Sequence, residues 1–289
     1  MSKINLNGSI GYTLLKNENI NVLILADMHS ELPYCEKDGI FISDWFKNKF
    51  KSKILLEEVP RVGPTLKELW PSSPHTQKLK EEYIKNSHII QGIDIRPFLI
   101  PFSWELAFDK EAPNMNLKEY LIPMNLFFNL KLDFIKKELK NIYTKEFLKT
   151  NILGKHYLLI KKKVKKYVKD NKLYLEKNIK ELIKTNENLL EQINDLISDM
   201  MEWYIIAKIY LGISHGQNSF IIHAGLAHTT NVINLLKNMY SFKLEEEYGT
   251  TDMTNLDREN NGCLQLPLHV EKQFGGRDNL GFNTYGFFW

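Results

Sequence analysis

Four short apolar runs that each stop abruptly at ionisable residues constrain this chain more than any other feature. The run from Asn21 to Ala26 leads into Asp27, His29 and Glu31, and the run from Lys53 to Leu56 leads into Glu57 and Glu58. The run from His88 to Ile93 leads into Asp94 and Arg96, and the run from Ser219 to Gly225, which contains His223, opens a helical stretch carrying His228. Continuous apolar runs without alternation suit strands buried on both faces, as in a parallel sheet. The apolar residues from Ile40 to Phe50 have helical spacing, and the charged stretch from Gln77 to Lys85 is also expected to be helical. Ser241 to Glu247 reads as one further strand. The expected fold is α/β, a mostly parallel sheet flanked by helices.

From about residue 116 the character changes to long, Lys- and Glu-rich helical segments. Leu175, Ile179, Leu182, Asn186, Leu189, Ile193, Leu196 and Met200 alternate four- and three-residue steps. That spacing predicts either a coiled-coil-like seam with Asn186 at a core position or a long amphipathic helix lying on the main domain. The expected organisation is an α/β core from 1–115 and 213–270, a helical insertion over 116–212, and an aromatic, Gly-containing C-terminal tail at 271–289. The insertion is expected to form a helical hairpin or coiled-coil-like arm.

Composition narrows the partners more than the chemistry. A net charge of +3 is too small to argue for nucleic acid. Only four of the 38 basic residues are arginine (Arg61, Arg96, Arg258 and Arg277), a bias that fits an A/T-rich coding sequence and makes each arginine worth inspecting. The dense run from Lys161 to Lys166 contains no arginine and reads as a solvated helix face. Two cysteines, Cys35 and Cys263, cannot build a disulfide framework or a four-thiolate zinc site; they could pair with each other, but far-apart free thiols in a reducing compartment are the expectation. The N-terminal residues lack the basic-then-apolar pattern of a signal peptide, and no apolar window is long enough to span a bilayer. A soluble intracellular protein is the default expectation.

In open parallel sheets, ligands bind in the crevice beyond the C-terminal strand ends. His29, Glu57 and His228, supported by Asp27, Glu58, Asp94, Arg96 and His223, are therefore expected to converge there. Imidazole near its pKa can take a proton from water, the core of general-base hydrolysis. The same residue types can hold a divalent metal (Mn, Zn or Fe), with His29, Glu57 and His228 as ligands; haem is a weaker reading. His29 directly follows a buried strand and is the first candidate for base or ligand. Glu57 is the first candidate acid, and the adjacent Glu58 should point to the opposite face of an extended chain. Asp94 could orient a histidine or join a ligand set. Arg96 could hold a carboxylate or phosphate with its planar fork, or form a structural pair with Asp27 or Asp94. His228 at a helix N-terminus should be held neutral by the helix dipole, and His223, inside its strand, is expected to be buried or to play a supporting part. His-Glu-x-x-His and Gly-x-Ser-x-Gly arrangements are absent, as is a Gly-rich phosphate loop.

These strand ends resemble the superfamily that joins the erythromycin esterases, the ChaN-like haem-iron proteins and the TraB/Tiki metal-dependent proteases. The resemblance rests on Leu25-Ala26-Asp27-Met28-His29, Leu56-Glu57, Gly92-Ile93-Asp94-Ile95-Arg96 and Gly225-Leu226-Ala227-His228, with a long helical segment before the last. Ala26 stands where that group usually has Gly, and Asp27 where it usually has Glu. The resemblance implies an esterase- or peptidase-like hydrolase, metal-assisted in some branches, acting on a small-molecule or peptide substrate. The alternative is a non-catalytic scaffold on the same fold, such as a component of a large viral particle (a virion location). It would meet assembly partners through the helical insertion and the C-terminal tail. No nucleic acid and no membrane span are expected in either case.

Overall fold

The computed structural model describes residues 2–28, 34, 35, 38–47, 49, 51–60, 78–81, 85, 89–101, 114–129, 149–255 and 262–274, with backbone only at 58–60 and 187. Nine strands are found among them: β1 (Lys3–Asn7), β2 (Gly11–Asn17), β3 (Ile20–Asp27), β4 (Gly39–Phe41), β5 (Lys53–Pro60), β6 (Ile90–Asp94), β7 (Ser219–Gly225), β8 (Lys243–Gly249) and β9 (Cys263–Pro267). The helices that matter below are α1 (Ile42–Phe46), α2 (Arg96–Leu99), α3 (Leu117–Tyr120), α4 (Ile122–Phe128), α5 (Ile152–Asp170), α6 (Ile179–Thr185), α7 (Glu187–Ser214), α8 (Leu226–Asn238) and α9 (Leu268–Gln273).

A six-stranded sheet runs in the order β6-β5-β7-β3-β2-β8. The first four strands are parallel neighbours, and β2 and β8 extend the sheet antiparallel. The fold is therefore α/β with a mostly parallel, mixed sheet. The place between β3 and β5 is filled late in the chain by β7, so four parallel C-terminal ends lie side by side. A second sheet, β4-β1-β9, packs against the first.

Alternation along the strands separates two apolar layers. Leu15, Val22, Ile24, Leu55, Phe220 and Ile222 share one core with α3 to α8. Leu23, Leu25, Ile54, Leu56 and Ile221 share another with α1, β1, β9 and α9. The helices between β6 and β7 are thus built onto one face of the sheet; the described residues show no separate arm. The seam residues Ile179, Leu182, Leu189, Ile193, Leu196 and Met200 are buried in that same core, which is the amphipathic-helix outcome. Asn186 does not occupy a seam position. It ends α6 and caps α7, its side chain accepting from the Leu189 N–H. Asparagine has modest helix propensity and is a preferred N-cap, because its short side chain competes well for the orphan amides of the first turn. Asn116, Asn151 and Asn178 cap α3, α5 and α6 in the same way.

The expected strands are present as β3, β5, β6, β7 and β8. The stretch from Ile40 to Phe50 divides into β4 and α1, and of the charged stretch after Gln77 only residues 78–81 and 85 are described, in helical conformation. The cysteines correct the expectation of free thiols: Cys35 and Cys263 form a disulfide, with Cα atoms 4.8 Å apart and a sequence separation of 228. The cause is topological. Asn7 of β1 lies opposite Cys263 of β9, and its side chain accepts from the Cys35 N–H at 2.7 Å, so β1 gathers both cysteines at one end. Because disulfides persist in oxidising surroundings, the inference to a reducing compartment loses its premise. Among the described residues no helix is long and apolar enough to cross a membrane.

Candidate functional site

The rim network begins where β5, β6 and β7 end together. Glu57, the first residue after the apolar part of β5, sits opposite the turn from β7 into α8. Its Oε2 accepts from the Gly225 N–H at 2.7 Å, and its Oε1 accepts from Arg96 Nη2 at 2.9 Å. A carboxylate on the N-cap amide of a thirteen-residue helix occupies the end where the helix dipole favours negative charge. Arg96 starts α2 immediately beyond β6. Its backbone N–H and Nε both donate to Asp94 Oδ1, at 2.9 and 2.8 Å, and Nη2 donates to Asp94 Oδ2 at 3.0 Å. One guanidinium thus clamps Asp94 with a two-bond fork and reaches across to Glu57. All three side chains are almost wholly buried.

His228 joins this network from the first turn of α8. Its Nδ1 lies 3.3 Å from Glu202 Oε1, and its Nε2 lies 3.6 Å from Glu57 Oε1. Glu202 comes from the middle of α7 and also accepts from Asn231 Nδ2 at 2.7 Å. Three residues apart on α8, His228 and Asn231 present the same face to α7. A carboxylate oxygen can only accept, so the imidazole donates from Nδ1, which leaves Nε2 as the lone-pair nitrogen in the neutral form. The His228 side chain retains 12% of its surface, against 4% for Glu202 and 2% for Glu57.

Burial opposes a charge on His228, but the Glu57 and Glu202 carboxylates outweigh burial and the repulsion of Arg96, so its pKa is raised. This reverses the expectation that the helix dipole holds His228 neutral. Two close carboxylates act more strongly than the partial charge of one helix end. Arg96 feels the same balance: burial disfavours its charge, and Asp94 and Glu57 more than restore it.

The structure therefore brings Glu57, Asp94, Arg96 and His228 together. Asp27 is buried at the end of β3, in register with Gly225. His223 is placed elsewhere, on the other face of the sheet. It meets the Phe46 ring edge-on, and Nε2 donates to the Gly8 carbonyl at 2.9 Å. His29 and the side chain of Glu58 lie outside the described residues. The sequence reading did not single out Glu202 or Asn231. The signal for Glu202 is present, since it and Lys208 are the sole residues charged at neutral pH between Met200 and Leu211, and an acid inside such a run must find a partner.

Among the described residues no group of three or more His, Cys, Asp or Glu side chains could hold a metal ion. Both oxygens of Glu57 already accept hydrogen bonds, and the Arg96 guanidinium occupies the cationic place between Glu57 and Asp94. Among the described residues, Glu57, Asp94 and His228 therefore do not make a ligand set; the set expected from the sequence includes His29, which lies outside them. The Arg96 fork is directed at the Asp94 carboxylate, with Nη2 also donating to Glu57. Compared with family models, with curated proteins and with solved structures, the chain shows no match.

Proposed function

We propose that the chain is a water-using hydrolase, esterase- or peptidase-like, in which His228 moves the proton. The observation that carries this reading is the partly accessible imidazole of His228, held at Nδ1 by Glu202 and facing Glu57 with Nε2. In the reaction, neutral His228 takes a proton from water at Nε2 as the water oxygen bonds to the substrate carbonyl carbon. The imidazolium so formed is stabilised by Glu202 and Glu57. It then returns the proton to the departing alkoxide or amine as the C–O or C–N bond breaks. Glu57 is held by Gly225 and Arg96, and in this reading its part is electrostatic rather than that of the acid expected from the sequence. In this reading the helices between β6 and β7 are an insertion into an α/β core, and Glu202 is what that insertion contributes.

The test is a screen of ester and peptide substrates on the wild type, with and without added Mn²⁺ or Zn²⁺, alongside His228→Ala of unchanged circular dichroism. Loss of about 10²–10⁴-fold in turnover is expected for the variant. An activity indifferent to this change, or none in the wild type, overturns the reading.

One observation favours a second reading, a non-catalytic scaffold on the same fold. Arg96, Glu57 and Asp94 fill the rim with mutual salt bridges, an arrangement that serves stability without turnover. Discrete higher assemblies in solution, together with an inactive wild type, would decide for it.

A further inference from the structure

Helix α5 presents a face that neither the core nor the rim network uses. Tyr157, Ile160 and Val164 point into the core. On the opposite side, at three- and four-residue steps, lie Lys155, Leu158, Leu159, Lys162, Lys165 and Lys169, all exposed and sharing one stripe of the helix. Neighbouring lysines are engaged: Lys163 pairs with Asp199, Lys166 with Asp170, and Lys161 donates to the Phe128 carbonyl. Lys166 lies on the same side, four residues beyond Lys162, and its charge is met by Asp170; Lys155, Lys162, Lys165 and Lys169 have no acidic partner among the described residues. Between them Leu158 and Leu159 remain 41% and 48% exposed, and Leu173, in the turn that follows the helix, is 88% exposed.

Unpaired ammonium groups flanking exposed leucines match one class of partner in both respects. An anionic lipid surface takes the lysines at its headgroups and the leucines at the acyl boundary. A nucleic-acid backbone would engage the lysines and leave the leucines in water. A symmetric contact with a second copy would set the lysines against one another. We propose that the outward face of α5 docks this protein peripherally on an anionic membrane surface, with α5 lying along the plane of the bilayer.

The experiment is co-sedimentation of the full chain with phosphatidylcholine vesicles containing phosphatidylserine, against vesicles of phosphatidylcholine alone. Binding is expected only to the anionic vesicles, and weakening as salt rises. Each of Lys155→Gln, Lys162→Gln, Lys165→Gln and Lys169→Gln should reduce partitioning about fivefold, so that the four together abolish it. Leu158→Ser with Leu159→Ser should weaken it while leaving the salt dependence in place. Absence of binding to anionic vesicles, or binding undiminished in the lysine variant, overturns the proposal. So does a gel shift of duplex DNA or RNA unaffected by the leucine changes while vesicle binding is lacking. A dimer in solution that the leucine changes abolish, again without vesicle binding, would assign the face to a second copy instead.

Discussion

Two buried charge clusters lie on opposite faces of the six-stranded sheet, and they differ in how their charges balance. On the face shared with the smaller sheet, Lys49 has no exposed surface and donates to Glu271 of α9. Its ammonium sits 4.4 Å from the centre of the Trp45 ring, and Trp45 Nε1 donates to the other oxygen of Glu271. One cation meets one carboxylate, and the cluster pins α9 to the end of α1. At the rim, among the described residues, Glu57 and Asp94 meet one guanidinium, and His228 lies between Glu57 and a third carboxylate, Glu202. Burial lowers the pKa of Lys49 against the pull of Glu271. At His228 burial loses, and the proton is held more tightly than on a free imidazole. A matched pair has one sensible protonation state. An acid-rich cluster hands the remaining charge to whichever group can titrate, and here that group is also the most accessible one.

Arg96→Met should break this contrast most severely. It leaves Glu57 and Asp94 buried without their cation, and a loss of about 3–5 kcal/mol is expected from denaturant unfolding. Next comes the disulfide. Replacing Cys35 and Cys263 together by Ser, or adding reductant, should cost about 2–4 kcal/mol; a melting curve indifferent to reductant would show that the bond contributes nothing. Lys49→Met should cost about 1 kcal/mol or less, because Glu271 is partly exposed and can rehydrate while the buried ammonium is replaced by an apolar chain of similar length. Equal losses for Arg96→Met and Lys49→Met would erase the distinction between the clusters.

The smallest effect is the most diagnostic. The folded-state pKa of His228 lies above its unfolded value, so its stabilising contribution is complete below the unfolded pKa and disappears as pH rises through the folded one. The neutral base forms over the same rise, so activity should climb with pH along a limb displaced upward from the ordinary imidazole value. Glu202→Gln removes one of the groups that raise the pKa, and both the limb and the imidazole titration followed by NMR should move to lower pH. An unmoved titration would show that Glu202 does not govern the proton on His228.

Four of the parallel strands, and the residues at their ends, are legible in the sequence because a buried strand announces itself locally, as an apolar run cut off by charge. That is how Glu57, Asp94, Arg96 and His228 can be picked out, although the bond from Gly225 to Glu57 joins residues 168 apart. The smaller sheet is not legible. β1 and β9 are five-residue strands from opposite ends of the chain, and pairing at such separation leaves no local trace. The disulfide inherits the same obscurity, since it depends on that pairing. Asn186 misleads for a different reason: heptad spacing continues through it although the helix does not, and its capping chemistry overrides the periodicity. Glu202 is hidden because a helix pattern tells which side is apolar, and says nothing of which acid within that side is met by a histidine from another element.

The link between Cys35 and Cys263 also has a mechanical meaning. Tension drawn from Lys3 and from the far side of α9 must free Glu271 from Trp45 and Lys49 and peel β1 from β9, whose outer residues Lys3 and Pro267 face each other, so that ladder opens one rung at a time like a zipper. Beyond that, force can draw on β2 and β3, which precede Cys35. Once the strain reaches the two sulfurs it passes directly between them. Glu57, Asp94, Arg96, Glu202 and His228 all lie within the bypassed loop, so pulling on the ends cannot stretch the segment that carries them until a covalent bond gives way.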